Sequence, residues 1–433
     1  MLKLKPTSGV ARNALWMSIG QGARLVVQAL YFTVIARSLG VENYGAFVGV
    51  VALVAILYPF GSAGRGNLLV RNVARDRSTF PKMWGAALSV SAVFGIFLIG
   101  LVMGLYHFAL PASIPGRLVL LVAASDIIGL NIILVAGQAF QAFEQLNWTA
   151  TINVMISTSR LLGALLLYSF HHSPNPLQWG YVYFGSTAVV CSIACWLVST
   201  KLGMPKLNLP KTWHEVREGL YFSVGLSAQT IYNDIDKTML ARLSTLEATG
   251  IYGAAYRLID VSFTPISAVL TAAYPHFFRK GSSGIASTWS YAKPYLRRAM
   301  AYAILVCIAV LLCAGLVPYI LGAEYAKTTE ALRWLAPLPL LKAMHYFLSD
   351  SLTGAGYQWL RSCIQTGVAL VNVGINLWLI PAYSWRGAAW ASILSDGLLA
   401  ASIFIALLCV ARKERIVQLR SEVAAESASV GEL

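Results

Sequence analysis

Apolar residues along the chain fall into long blocks of about twenty, and short polar segments separate these blocks. A helix rises about 1.5 Å per residue, so one block can cross a hydrocarbon core of about 30 Å. Twelve blocks are predicted to span the membrane, at residues 14–36, 44–65, 83–106, 118–142, 149–170, 180–200, 219–241, 250–274, 299–321, 329–353, 359–381 and 387–410. The pattern predicts an all-α, polytopic membrane protein with about twelve transmembrane helices.

The second half of the chain repeats part of the pattern of the first half. Residues 36–46 hold Ala-Arg, a glutamate and Tyr-Gly-Ala, and residues 241–254 hold the same elements in the same order. An even number of spans separates the copies, which predicts two pseudo-symmetric six-helix bundles in the same orientation. Pro59 and Pro265 follow the two copies, and matched helix bends are predicted there. The predicted parts are an N-terminal bundle, a C-terminal bundle and a cytoplasmic tail, at residues 1–205, 206–412 and 413–433.

Composition agrees with a membrane protein, since 57% of the residues are hydrophobic, 12% are charged and the mean hydropathy is +0.65. A soluble protein of this size carries about twice that charged fraction. The net charge of +15 is unevenly placed, with 21 of the 33 Lys and Arg residues on one side of the predicted membrane and five on the other. By the positive-inside rule, both termini are predicted to be cytoplasmic. The positive charge therefore indicates topology, and no nucleic-acid partner is expected.

Three basic residues are predicted to lie near the membrane midplane, namely Arg24, Arg160 and Lys342. A charge that faces lipid at this depth costs at least about 2.5–3.5 kcal/mol, so these side chains are expected to face a water-filled cavity. Guanidinium groups match phosphate oxygens two at a time and stay charged at any physiological pH. The three residues are therefore predicted to bind an anionic substrate.

Six further charged residues inside the spans are candidates for ion coupling or for structural ion pairs. They are Asp126, Asp234, Asp236, Lys237, Arg257 and Asp260. Asp236 and Arg257 lie equally far from the loop between the seventh and eighth spans, which predicts an ion pair between them. Whether that pair is structural or takes part in transport stays open. Asp350 and Asp396 are isolated acids, and His345 is expected to be a packing residue.

Catalytic and cofactor motifs are missing from the sequence. It contains no phosphate-binding loop, no zinc-ligand spacing and no nucleophile elbow, and its six cysteines all lie inside predicted spans. No catalytic residue, metal or cofactor is therefore expected. A membrane enzyme that acts on polysaccharide usually has a large external loop, whereas the predicted external loops are short and almost uncharged. A transporter is thus favoured over an enzyme and over a passive scaffold.

Four stretches of the chain look like parts of a known family. Residues 36–45 resemble its first hairpin, 61–71 the end of its second helix, 236–257 its seventh and eighth helices, and 372–389 its last hairpin. The family is that of the Wzx-type polysaccharide-transport flippases, in the multidrug/oligosaccharidyl-lipid/polysaccharide (MOP) exporter superfamily. The resemblance covers nearly the whole chain, and the departures are small, such as Val41 where a proline is commoner.

The resemblance implies alternating access of two bundles in the bacterial inner membrane. It implies a polyprenyl-diphosphate-linked oligosaccharide as the substrate, for O-antigen, capsule or exopolysaccharide biosynthesis, with a polysaccharide polymerase and a chain-length regulator as further partners. A drug or metabolite antiporter of the same superfamily is the first alternative, and its cavity would depend on acids such as Asp126 or Asp236. A membrane polysaccharide polymerase is the second alternative. The sugar and the coupling ion stay open.

Overall fold

The computed structural model describes residues 8–171, 174–206 and 213–430, and these residues form helices and short turns without any β-strand. The helices are α1 Ser8–Leu57, α2 Arg65–Arg75, α3 Phe80–Ala109, α4 Gly116–Ala123, α5 Asn131–Ala142, α6 Leu146–Phe170, α7 Pro176–Lys201, α8 Trp213–Leu243, α9 Leu246–Gly281, α10 Ile285–Cys313, α11 Val317–Leu321, α12 Ala326–Leu335, α13 Leu338–Gly354, α14 Gln358–Tyr383 and α15 Trp385–Val430. The predicted all-α class is confirmed.

Eight helical segments within the described residues are long and apolar enough to cross a membrane. The first of them, Gly22–Val73, covers residues 22–36 of the first predicted span and all of the second, and the two are joined at a sharp kink in α1. Helices α8 and α9 and the α12–α13 pair occupy the places of the predicted spans seven, eight and ten. These are the helices that carry Asp236, Arg257 and Lys342, so they are more polar than the others.

The helices form two compact units. The first unit extends to Ala254 and also includes Val317–Lys327, whereas the second comprises Ala255–Leu316 and the chain from Thr328 onward. Phe80, Trp84 and Phe140 lie in a hydrophobic core of the first unit. Phe277 and Phe347 lie in a core of the second. The predicted division into bundles at residue 205 rests on the sequence repeat and stays a prediction.

The kink in α1 lies at Gly40, whose φ of 74° is in the left-handed region that favours glycine. Two residues of Val317–Lys327, the segment that we call the strap, bond the backbone on either side of this kink. The Val41 N–H donates to Glu324 Oε2 at 3.1 Å, and the Tyr325 hydroxyl donates to the Ala36 carbonyl at 2.9 Å. An acid at a helix N-terminus and a donor at a C-terminal carbonyl satisfy groups that a broken helix leaves open.

Two glycines bring α1 and the start of α9 into backbone contact. A Cβ atom on Gly45 would lie 1.8 Å from the Leu246 carbonyl oxygen, and one on Gly250 would lie 1.9 Å from the Val41 carbonyl oxygen. Small residues at such crossings let membrane helices approach closely. The Tyr-Gly-Ala motif of the first hairpin thus supplies a contact surface.

The second predicted span is interrupted after Pro59, as expected. A short 3₁₀ turn covers Tyr58–Phe60, and Ala63 and Gly64 have positive φ values of 44° and 67° before α2 begins. Helix α9 continues through Pro265 as one helix, without an interruption like that after Pro59, and the predicted bend at Pro265 stays a prediction. The hydroxyl groups of Ser262 and Thr264 bond carbonyls of the preceding turn and support the helix there.

The tenth predicted span is divided into two helices in the second unit. Helix α12 ends at Leu335 and α13 begins at Leu338, because Pro337 and Pro339 interrupt the helical hydrogen bonds. The start of α10 resembles the kink in α1. Gly284 has a φ of 88°, and the Ile285 N–H that follows donates to Glu414 Oε2 at 2.8 Å. Residues just beyond 413 therefore belong to the packed part of α15.

Candidate functional site

An arginine in the middle of α6 belongs to a buried group in the first unit, which we call the Arg160 cluster. Its members are Arg160, Asp126, Tyr183, Thr187 and Ser125. Arg160 Nη2 lies 3.4 Å from Asp126 Oδ1 and 3.3 Å from Thr187 Oγ1, and the guanidinium lies 3.8 Å from the centre of the Tyr183 ring. The Tyr183 hydroxyl donates to both Asp126 oxygens, at 2.9 and 3.2 Å, and the Ser125 hydroxyl donates to Thr187. A predicted coupling acid and a predicted substrate cation are thus partners.

Asp126 lies in a π-helical turn, Ala124–Leu130, between α4 and α5. Such turns are rare and are frequent at functional sites, because the extra residue changes the direction of the side chains. The turn is fixed by Asn131, whose amide donates to the carbonyls of Tyr58 and Ile127. The break after α1 and the π turn are therefore bonded to each other beside the Arg160 cluster.

Arg24 lies on α1 toward the same region. Tyr58 is within electrostatic range of Asp126, Arg160 and Arg24, which connects the second predicted substrate cation with the Arg160 cluster. Within that cluster, Arg160 Nε is buried and has no hydrogen-bond partner among the residues that the structure describes. One donor of the guanidinium therefore stays available while another bonds Asp126.

A polar cavity of about 320 Å³ lies in the first unit between α2, α5 and α8. Its lining includes Asn67, Asn131, Gln138, Asn233 and Asp234. Asp234 forms an ion pair with Lys237, whose ammonium also donates to the Asn233 carbonyl at 3.3 Å. Two of the predicted coupling residues therefore lie at or beside a cavity that suits polar ligands.

The acid Asp236, next to Lys237 in the sequence, has different surroundings. Its carboxylate accepts hydrogen bonds from the Tyr252 hydroxyl and from the Lys237 backbone N–H, and the residue is buried. Arg257 is half-buried and belongs to the second unit. The predicted Asp236–Arg257 pair stays a prediction.

In the second unit, Lys342 forms a smaller cluster with Asp260 and Tyr256, which we call the Lys342 cluster. Lys342 Nζ lies 3.2 Å from Asp260 Oδ1 and 4.5 Å from the centre of the Tyr256 ring. The lysine side chain is 5% exposed, whereas that of Asp260 is 41% exposed. The third predicted substrate cation therefore has an acid partner whose side chain is partly exposed.

Two buried pairs of the second unit were missed from the sequence. His345 Nε2 lies 3.0 Å from Asp396 Oδ1, and Arg361 Nη1 lies 3.1 Å from Asp350 Oδ1. Asp350 and Asp396 are therefore not isolated acids. Arg361 lies in the first turn of α14, and its position eleven residues after Asp350, across one short turn, was a usable signal. Nothing in the sequence connects His345 with Asp396.

Groups of three or more His, Cys, Asp or Glu side chains suited to a metal ion do not occur among the described residues. The Arg160 and Lys342 clusters are instead ion pairs with aromatic neighbours.

The sequence profile of a family described as "polysaccharide biosynthesis protein" matches residues 10–280, which is more than half of the chain. The chain belongs to this family. No curated protein matches the chain significantly. The family assignment agrees with the predicted resemblance to polysaccharide-transport flippases.

Solved structures similar to this polysaccharide biosynthesis protein are those of MOP superfamily transporters. An inward-facing multidrug resistance MATE family transporter is 16% identical with a TM-score of 0.73, over 92% of this chain and 96% of that one. The lipid II flippase MurJ, in an inward closed conformation, is 10% identical with a TM-score of 0.74, over 91% of this chain and 87% of that one. A MOP superfamily transporter from Pyrococcus furiosus, described as having a binding pocket of reversed polarity, is 17% identical with a TM-score of 0.65, over 96% and 99%.

These similarities confirm that the chain has the MOP superfamily fold. The chain is thus a multi-pass membrane protein of the polysaccharide biosynthesis family, with the fold of MOP superfamily transporters. In such a polysaccharide biosynthesis protein, a buried arginine with an available donor can bind a phosphate oxygen. A carboxylate beside it can neutralise the arginine when no anion is bound.

Proposed function

We propose that the protein is a flippase that moves a polyprenyl-diphosphate-linked oligosaccharide across the bacterial inner membrane by alternating access. The observation that carries this proposal is the state of Arg160 in the middle of α6. The Arg160 side chain is 16% exposed, and its guanidinium bonds Asp126 through one nitrogen and keeps a buried Nε without a described partner. Tyr58 lies within electrostatic range of both Arg24 and Arg160, so two cations lie near one region of the first unit.

The geometry of the Arg160–Asp126 pair suits an exchange of anions. The pair is 3.4 Å long, whereas strong charge-assisted bonds between nitrogen and oxygen are about 2.7–2.9 Å. A diphosphate offers several oxygens to the planar guanidinium and can replace the single Asp126 oxygen. Asp126 keeps its two bonds from the Tyr183 hydroxyl after such an exchange. The arginine would therefore be neutralised both with and without substrate.

The proposed role places the protein in O-antigen, capsule or exopolysaccharide biosynthesis, upstream of chain polymerisation. A polysaccharide polymerase and a chain-length regulator are the proposed protein partners. The similarity of fold to a lipid II flippase agrees with a lipid-linked substrate.

Substitution of Arg160 tests the proposed function. Arg160→Ala is expected to abolish surface polysaccharide in the native host while the protein stays in the membrane at the normal level. Arg386→Ala is the matched control, because this arginine pairs with Glu330 at the surface and is 52% exposed. Normal polysaccharide in cells with Arg160→Ala would contradict the proposal.

The proposed topology has both termini on the cytoplasmic side. In a cysteine-free background, Ser282→Cys is expected to stay unlabelled by an impermeant maleimide in intact cells, whereas Lys327→Cys is expected to react. Both residues are exposed in the structure. The reverse pattern would contradict the topology.

A drug or metabolite antiporter is the second candidate. The observation that favours it is Asp234, an acid at the polar cavity whose side chain is 34% exposed. A cation exporter would require this acid, so Asp234→Asn would then increase susceptibility to cationic dyes. Under the flippase proposal, the same variant leaves dye susceptibility unchanged.

A further inference from the structure

An apolar groove of about 760 Å³ lies in the first unit along α6 and α7. Its lining extends from Ala150 to Leu166 on α6 and from Val182 to Ile193 on α7, with Ala23 of α1 at its edge. We call it the α6–α7 groove. Few polar atoms line it, so its ligand must be largely hydrocarbon.

Two glycines shape this groove. A Cβ atom on Gly163 would lie 2.6 Å from Val182 Cγ1, so Gly163 permits the close approach of α6 and α7. A Cβ atom on Gly185 would meet nothing within 4 Å, so the absent side chain leaves open space inside the groove. The concavity therefore depends on glycine positions where a larger apolar residue would fill the space.

The dimensions of the groove suit an extended chain. Ala150 and Leu166 are sixteen residues apart on one helix, which corresponds to about 24 Å. That length covers most of a hydrocarbon core of about 30 Å. A compact solute would occupy part of such a groove, whereas a linear hydrocarbon can follow all of it.

Both predicted substrate cations are next to groove residues in the sequence. Ala23 precedes Arg24, and Ser159 precedes Arg160. Ser159 also connects the two helices, because its hydroxyl donates to the Ser186 carbonyl at 3.4 Å. Along α6, the groove extends beyond Ser159 in both directions, by about 13 Å toward Ala150 and by about 10 Å toward Leu166. A hydrocarbon chain can thus stay in the groove while its charged end lies at either side of the arginines.

We infer that the α6–α7 groove binds the isoprenoid chain of the lipid-linked substrate while Arg160 and Arg24 hold its diphosphate. This inference rests on the proposed function and specifies where each part of the substrate binds. The occupant is the substrate's own chain and not bulk bilayer lipid, because Ala23 and Ser159 place the groove on the same turns of α1 and α6 as the two cations that hold an anionic headgroup. A bilayer lipid keeps its headgroup at the interface and would gain nothing from cations near the midplane.

Filling the groove tests the inference. Gly185→Trp places a large side chain in open space within the groove, and Gly104→Trp is the matched control on α3, where a Cβ atom also meets nothing within 4 Å. The full-length protein in nanodiscs would be titrated with geranylgeranyl diphosphate and with inorganic diphosphate. Gly185→Trp is expected to weaken geranylgeranyl diphosphate binding about tenfold or more, because several buried CH₂ contacts are lost, and to leave inorganic diphosphate unchanged. Gly104→Trp should change neither.

The outcomes separate this inference from the proposed function. Unchanged binding of geranylgeranyl diphosphate by the Gly185→Trp protein overturns the inference. This holds also if Gly185→Trp displaces spin-labelled phosphatidylglycerol, because the groove then holds bilayer lipid only. Arg160→Ala is expected to weaken both diphosphates. If Arg160→Ala weakens neither while Gly185→Trp still weakens the prenyl ligand, the chain site stands and the diphosphate role of Arg160 fails. A wild-type protein that binds neither diphosphate overturns both.

Discussion

The Arg160 cluster of the first unit and the Lys342 cluster of the second contain the same three components, a cation, an aspartate and a tyrosine ring beneath the cation. They differ in the exposure of the acid, since the Asp126 side chain is 9% exposed and that of Asp260 is 41% exposed. They also differ in the cation. Arginine stays charged in any protein environment, whereas a buried lysine can lose its proton. The first cluster must therefore always contain an anion, and the second need not.

This difference indicates that the two units have unequal roles in handling charge. A permanent cation with an enclosed counter-ion suits an anionic ligand that replaces the counter-ion. The buried Lys342 has an acid partner that is only partly enclosed, so an anionic ligand need not replace that acid. The following predictions test this inequality, in order of decreasing expected effect.

The largest expected difference between the clusters is the effect of removing each acid. Asp126→Ala leaves the Arg160 charge without its enclosed partner and is expected to lower the free energy of unfolding by about 3–5 kcal/mol. Asp260→Ala is expected to cost about 1 kcal/mol or less, because an exposed acid is well screened. Thermal unfolding of the purified protein in detergent measures both, with Glu330→Ala at the surface as the control. Equal losses for Asp126→Ala and Asp260→Ala would remove the distinction.

Exchanging the partners of the first cluster separates stability from transport. The double variant Asp126→Arg/Arg160→Asp is expected to recover most of the stability that Asp126→Ala loses, because a buried pair is restored. Export is expected to stay below about a tenth of normal, since the guanidinium no longer projects from α6. Surface polysaccharide is measured on the cells that express each variant, and thermal unfolding is measured on the protein purified from those cells. Full export by the exchanged pair would mean that Arg160 is structural.

Interchanging arginine and lysine compares the two cations directly. Arg160→Lys is expected to reduce export about tenfold, because the ammonium group lacks the planar fork that matches two phosphate oxygens. Lys342→Arg is expected to stay within about twofold of normal, since its partner Asp260 is exposed and can adjust to a larger cation. Initial rates of substrate translocation in proteoliposomes provide the measurement. A larger loss for the Lys342 variant would reverse the assigned roles.

The smallest expected effects concern the two glutamate caps, where the units are expected to behave alike. Glu324→Gln and Glu414→Gln keep an acceptor for the Val41 and Ile285 N–H groups and lose only the negative charge at a helix N-terminus. Each is expected to lower the free energy of unfolding by about 0.3–1 kcal/mol. Glu330→Gln, in the middle of α12 and 47% exposed, is the control. A loss of stability for one of these two variants without a loss for the other would show that the caps are not equivalent.

Most of the helices could be predicted from the sequence. The apolar segments are long enough to cross a membrane, and unpaired backbone N–H and C=O groups are so costly in lipid that few structures other than a helix are possible. The interruption at Pro59 was predictable for a local reason, since glycines follow that proline. Helix α9 continues at Pro265 because nearby hydroxyl groups support it, and the helix breaks at Pro337 because a second proline lies close by. Hydrophobic periodicity alone does not take these neighbouring residues into account.

The partners in the candidate site were less accessible to sequence reasoning. The depth of Arg160 along its helix follows from hydropathy, but its bond to Asp126 depends on a π-helical turn that rotates the acid. The His345–Asp396 pair joins residues on two helices whose rotation is set by packing. Spacing along one helix predicts which residues share a face, and contacts between helices need the packed structure.

The strap has a consequence for the synthesis of the chain. The Val41 N–H reaches its acceptor on Glu324 across 283 residues, so the bend in the earliest membrane hairpin is completed by a segment made much later. At about 5–20 residues per second, a ribosome needs about 15–60 s to add that length. During this interval the nascent hairpin exposes an uncapped amide and the Ala36 carbonyl inside or near the bilayer, where chaperones and quality-control proteases can bind it. Variants of Glu324 and Tyr325 would extend this uncapped state beyond the end of synthesis, and the yield of inserted protein is expected to fall.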